Sequence, residues 1–491
     1  MKPFGTITMY YQFLDGETTS QVKALMKNAR NYYDFVTKLG DIACLDDTPS
    51  HLTYLAAVHA WRLSANDTKQ KLLQKFNEDL IIRSWAAPQN VLGMEKLFDV
   101  IDEAIKKAEE NWLRIELLCL KTWYARYLIT DYWFEPIEIA EALLKEDSDL
   151  ACFASLVHNV RSEVRFMEQK HDQAYDSHNK GLEMAKRYDD RFQTYQLLWT
   201  FSSWIKTWDS RTALSLQEKA YKLAKEFGSP QKEAEAMADM GRISEGLGEY
   251  DLAIECYRNS KKTYGSPPME LYREIIDSPT FGLSRIYCEL GDGERGLEWI
   301  DTAVNLVGER AIELSPLFSQ RAEALVILKR IEEAAQQLDI CKKAALRSGG
   351  EGYVALCELS VGYLELALGD PFAAIQTFRP GYEFLSTGPT AIYTNRFLIA
   401  LARAEVEANL KSESVDSSEK WMTKLEDHAR EKDLPGILML HALLKSEYLM
   451  ARGLKEEAID ILKDTLNEEF SDTTKTLYER VREKLIQLQL Q

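Results

Sequence analysis

Residues 236–262, AMADMGRISEGLGEYDLAIECYRNSKK, decide how the rest of the chain is read. The stretch divides into two short amphipathic helices joined at Leu247, Gly248 and Glu249. Gly241 is small where a partner helix must come close, Gly248 ends the first helix, and Tyr250 opens the second. Ala253 and Tyr257 share one face of that second helix, since side chains four apart are neighbours on a helical surface. One such hairpin exposes too much apolar surface to be stable alone, so it needs neighbours of its own kind.

The neighbours are present. With Gly248 as reference, the turn recurs at Gly291 (CELGDGERGLEWI), Lys329 (ILKRIEEAAQQL), Gly369 (ALGDPFAAIQTF) and Gly453 (MARGLKEEAIDIL). Upstream the register falls on Gln169 (MEQKHDQAYDSH) and Trp208 (KTWDSRTALSLQ), and a degenerate copy fits around Asn395 to Arg430. The small packing residue of each second helix then falls at Ala174, Ala213, Ala253, Gly296, Ala334, Ala374 and Ala458. Gly362 repeats the role of Gly241, and Phe378 that of Tyr257.

This order of small, turn, aromatic, small and aromatic residues resembles the tetratricopeptide repeat, with a spacing of roughly 38 to 44 residues in place of the standard 34. Long repeats of this sort resemble the helical sensor region of MalT-type bacterial regulators, over about Ser155 to Leu466. The resemblance implies an all-α fold: an α-solenoid, a right-handed superhelix of stacked hairpins, behind an atypical helical N-terminal part. The expected divisions are 1–110 for that N-terminal region, 111–466 for the array (clearest over 155–410) and 467–491 for a capping helix.

Composition agrees with a folded, helix-rich chain: 491 residues, 45% hydrophobic, 28% charged and 13 prolines. No apolar run of the length that spans a bilayer occurs, and the start MKPFGTITMYYQFLDGE lacks the pattern of a secretory signal, so a cytoplasmic location is expected. A formal net charge of −18 argues against direct nucleic-acid binding and against an anionic membrane. The seven cysteines include no CxxC pair and read as reduced core residues.

Along the N-terminal part, ITMYYQFL has β-like character and suggests an extended or edge segment. A helix capped at Thr18 or Thr19 is expected to run to about Leu39, with a loop over GDIACLDDTPS. A second helix, about His51 to Ala65, is broken by Asn66 and Asp67. Residues 86–90, AAPQN, read as a linker, followed by a hairpin of about Val91–Glu110 and Trp112–Thr130. Gly349 to Gly352 reads as a loop between repeats, and a final helix is expected over about Thr473 to Gln489.

No motif carries chemistry. There is no HExxH, no G-x-x-x-x-G-K-[ST] and no G-x-S-x-G, and a His171/His178 metal site is far weaker than a reading of both as exposed helix residues. Neither an enzyme nor a cofactor is expected.

The binding surface is read through the resemblance. In tetratricopeptide arrays the first helix of each hairpin lines the concave groove. Carried over by register, one contact position, just after the small packing residue, falls at Glu163, Ser202, Arg242, Arg285, Glu323, Tyr363 and Arg403. Three arginines in an acidic chain suggest forks for carboxylates or phosphates. Their alternative use is pairing along their own helix, Arg242 with Glu245 and Arg285 with Glu289. Tyr195 and Trp204 are further groove candidates, because aromatic side chains anchor interfaces. The lysine and asparagine set with which some family members grip a C-terminal carboxylate is not found.

The expected function is therefore a non-enzymatic scaffold or adaptor that holds a peptide or protein partner in its groove. The alternative is a ligand- or peptide-responsive regulator of the MalT-like or peptide-sensor type, although 1–110 shows no DNA-recognition helix. A bundle preceding the array also resembles the Rap-type phosphatases, without assigning a catalytic residue.

Overall fold

The computed structural model describes residues 7, 9–45, 50–75, 94–125, 134–206, 209–264, 278–307, 315–348, 351–386, 391–411, 419–467 and 472–490. They contain 24 α-helices, a few turns of 3₁₀ helix and, among the described residues, no strand. The fold is all-α, and most helices pair as successive hairpins.

The hairpins form because one turn chemistry is repeated. Helix Pro230–Gly246 ends with Gly248 N–H on the Glu245 carbonyl at 3.0 Å and Glu249 N–H on the Ser244 carbonyl at 2.8 Å. This pair of bonds satisfies carbonyls that a helix end would leave open, and it requires a left-handed residue. Asp292 to Tyr287, Arg330 to Leu325, Asp370 to Glu365 and Leu454 to Leu449 repeat the longer bond at 2.8–2.9 Å. Gly248, Gly291, Gly369 and Gly453 have φ between 74° and 81°, and Gln169 and Lys329 adopt 60° and 59° at the same point of the register. The backbone conformation is thus kept where glycine is not.

Packing follows the aromatic positions. The Tyr257 ring lies against the Gly241 Cα, where a Cβ would come within 2.7 Å of it, and Phe378 fills the same place at Gly362. Ala253, Ala374 and Ala458 are fully buried, and Tyr250 is buried at the start of helix Tyr250–Tyr264.

The N-terminal region departs from several expectations. The β-like segment forms a 3₁₀ turn, Tyr11–Phe13, beside the buried Tyr10. Asp15, not Thr18 or Thr19, caps the next helix by accepting from Thr18 N–H at 2.7 Å. That helix, Gly16–Asn28, stops because Asn31 caps a separate one, Tyr32–Ala43, through Asp34 N–H at 2.8 Å. Gly40 to Ala43 are therefore helical, and Asn66 starts the helix Asn66–Lys75. Glu351 and Gly352 likewise open helix Glu351–Ala367. The AAPQN linker, Trp208, Gly349 and Gly350 lie outside the described residues.

Two compact units result, Met1–Trp204 with Ser215–Ala236, and Ile205–Leu214 with Met237–Gln491. The first has an aromatic core in which Tyr10 meets Trp112, Phe153 and His59 edge-on, and Tyr32 meets Phe227 at 5.8 Å.

In the second unit, the first helices Pro279–Glu289, Ser315–Ile327, Glu351–Ala367, Ala391–Lys411 and Pro435–Ala451 pack each on the next of the series. The degenerate copy is a hairpin like the rest, Ala391–Lys411 with Lys420–Glu431. The unit then closes on its own beginning. A Cβ on Gly436 would lie 1.9 Å from the Gly248 carbonyl oxygen, and Asn395 donates to the Gly246 carbonyl at 2.8 Å. The last helix, Lys475–Leu490, buries Leu477, Val481 and Leu488 and returns to helix Tyr250–Tyr264, where Thr476 N–H donates to Asp251 at 2.8 Å. It covers the first hairpin of the unit as well as ending the last.

Candidate functional site

The register positions of the first helices lead into a buried ionic ladder in the second unit. Arg285 projects from helix Pro279–Glu289 and meets Glu245 with two bonds, Nε at 2.7 Å and Nη2 at 2.9 Å. Tyr257 donates to the same carboxylate at 2.7 Å. Burial works against the Arg285 charge, but Glu245 outweighs it and holds the guanidinium well above its ordinary value.

The next rung is made by Arg396, from helix Ala391–Lys411. Its Nε donates to Glu289 at 2.7 Å and its Nη2 to Glu323. Glu323 also accepts from Ser360 at 2.9 Å, and burial keeps its carboxyl above the usual carboxylate range in spite of Arg396. The expected partners thus change: Arg242 pairs within its helix, but with Asp239, while Glu245 serves Arg285 and Glu289 serves Arg396 across hairpins. The reason is geometric. Repeat stacking brings the carboxylate of one hairpin opposite the arginine of another with both desolvated, where an ion pair is stronger than on an exposed helix face.

The candidate groove residues therefore separate. In the first unit, Glu163 is buried and accepts from Thr200 at 3.3 Å. Tyr195 is buried beside Phe227 at 6.0 Å, and Trp204 stacks on Phe166 at 4.8 Å. In the second unit, Arg285 is 1% exposed, whereas the Arg242 side chain keeps 17% of its surface. Tyr363 is half-buried, with its phenol raised by burial, and its ring meets Phe378 edge-on at 5.5 Å.

Arg403 differs from them all. It is exposed and makes no hydrogen bond or ion pair among the described residues. It lies close enough to act on three neighbours: its charge opposes the burial that raises Tyr363 and Glu407, and adds to the burial that lowers Arg480. Arg480 itself reaches the Leu290 carbonyl at 3.4 Å. Sequence reasoning missed Arg396 and Arg480. The signal for Arg396 was a lone cation and an amide opening the apolar run NRFLIALA; nothing marked Arg480.

No family model matches the chain, and no curated protein matches it. Solved structures with a similar trace include the apo form of RapI, at 13% identity and a TM-score of 0.40 over 79% of this chain and 97% of that one. Yeast Tom70 gives 10% identity and 0.36 over 96% and 95%. A Rap protein complexed with competence and sporulation factor gives 12% and 0.24 over 89% and 98%. Among the described residues, no group of three His, Cys, Asp or Glu could hold a metal, and no helix is long and apolar enough to cross a membrane.

Proposed function

We propose that the protein is a non-catalytic helical-repeat scaffold that binds a peptide or protein segment through the Arg403 face of its second unit. The observation that carries this reading is the contrast among register-equivalent positions. Arg285 is taken up by Glu245 with both groups buried, whereas Arg403 keeps an exposed fork, within electrostatic range of Arg480 and Glu407. An exposed guanidinium with no ion pair of its own among the described residues is open to a carboxylate from a partner. The planar fork favours bidentate carboxylate recognition, and the flanking Tyr363 supplies an aromatic contact. A surface held by packed helices loses little ordering entropy when it binds.

The test is capture from native lysate on the immobilised full chain, with Arg403→Glu alongside. A partner retained by the wild type and lost by the variant supports the reading. Equal retention on both, or none on either, removes it.

A further inference from the structure

The first unit contains a second polar cluster that the scaffold reading leaves unused. Arg62, at the end of helix Ser50–Arg62, and Glu116, in helix Asn111–Ala125, are both almost fully buried and pair at 2.7 Å. Tyr10 donates to the same Glu116 oxygen, and the Arg62 guanidinium lies over the Tyr10 and Phe192 rings. Beside this pair is a cavity with about 40 Å³ of internal space, partly open, to which Asn159 and Gln193 contribute polar groups and Trp123 and Phe192 flat walls.

Four polar atoms of residues lining this cavity have no hydrogen-bond partner among the described residues: Arg62 Nη1, Glu116 Oε2, Asn159 Oδ1 and Gln193 Oε1. Their residues are exposed by 2%, 1%, 5% and 1%. Buried polar groups in folded proteins are nearly always satisfied, and a buried ion pair is favourable only when its remaining protons and lone pairs are met as well. One donor and three acceptors on residues that line one small space therefore describe what is to be bound. The ligand offers one carbonyl-type acceptor to Arg62 and N–H donors to the oxygens, two from a primary carboxamide or up to four from a urea. It is neutral, because Glu116 and the buried Asp190 already answer Arg62 and turn away an anion, while the open Arg62 donor turns away a cation. It is planar enough to lie along the rings, and it has few non-hydrogen atoms, since the space holds about three water-sized volumes.

We propose that this cavity is a binding site for a small neutral amide-type group, a urea or a primary carboxamide. The site is independent of the Arg403 face, and the experiment reads it separately.

Saturation-transfer NMR on the full chain tests the proposal, with acetamide, acetate and methylammonium as probes. Acetamide receives saturation from the wild type in preference to the two ions. In Asn159→Leu/Gln193→Leu, which removes two of the three acceptors, the transfer falls at least about tenfold. The near-isosteric Gln193→Glu adds a negative charge and moves the preference to methylammonium, which decides the matter if the double variant does not fold. Transfer to acetate or methylammonium in the wild type equal to that of acetamide overturns the assignment. So does equal transfer in all variants, or no transfer of any probe, in which case water alone fills the cavity.

Discussion

Arg285 and Glu245 are 40 residues apart in sequence and form a two-point ion pair with side chains 2% and 4% exposed. Each comes from the first helix of its hairpin, so the pair locks adjacent repeats at the face where a ligand was expected. Arg396 continues the arrangement by bridging Glu289 and Glu323, which belong to two different hairpins. Repeat order in the second unit is thus read by charge as well as by shape.

Removing one member of such a pair leaves the other charged and buried. Arg285→Ala is expected to destabilise the second unit by about 3–5 kcal/mol, measured by urea denaturation. Replacing both members with apolar residues, Arg285→Met with Glu245→Leu, is expected to recover most of that loss. A single variant with near wild-type stability would show that the pair does not lock the repeats.

Closure of the second unit is expected to be sensitive to a single methyl group. Gly436→Ala places a Cβ 1.9 Å from the Gly248 carbonyl oxygen, and backbone has no rotamer by which to yield. A loss of about 1–3 kcal/mol is expected, with faster amide exchange across residues 435–451. Gly453→Ala serves as the comparison, since open space surrounds Gly453 and only its φ of 76° resists the change.

At the Lys329 turn, a side chain occupies the left-handed conformation that glycine takes at Gly369. The conformation costs an L-residue about 1–2 kcal/mol, and glycine gives back part of this as chain entropy. Lys329→Gly is expected to stabilise the protein by roughly 0.5–1 kcal/mol, read as a higher denaturation midpoint. A lower midpoint would refute this account of the turn.

Acid should weaken the first unit through His178. The ring is buried against Phe201 at 4.2 Å, and desolvation lowers its pKa to about 4. The unfolded chain, titrating near 6.5, binds the proton more readily than the folded one. Stability is therefore fully present above about 6.5 and lost as pH falls toward 4, by up to about 3 kcal/mol. His178→Gln is expected to flatten the pH dependence in that window, as followed by thermal denaturation.

Much of this was visible in the chain. Gly241, Gly248, Tyr250, Ala253 and Tyr257 gave the hairpin because each acts within about a turn of its neighbours, where helix geometry alone decides the contact. The turn register reached even Lys329 and Gln169, which carry no glycine. Pairing of the arginines was not visible. Helix spacing links Arg285 to Glu289, and only stacking reveals that Glu245 and Arg396 take those partners instead. The break at Asn31 was hidden because the stripe of Val22, Met26, Ala29 and Tyr33 stays apolar across it. His178 appeared exposed because its neighbours in sequence are polar, whereas Phe201 covers it from another helix.

The central claim is that equivalent positions on the first helices have separate tasks, with Arg285 holding repeats together and Arg403 meeting a partner. It is tested by measuring Arg285→Ala and Arg403→Ala side by side for denaturation midpoint and for partner captured from lysate. The account predicts that Arg285→Ala lowers the midpoint and that Arg403→Ala leaves it unchanged while losing the partner. A partner retained in full by Arg403→Ala, or an Arg285→Ala protein with an unchanged midpoint, would contradict it.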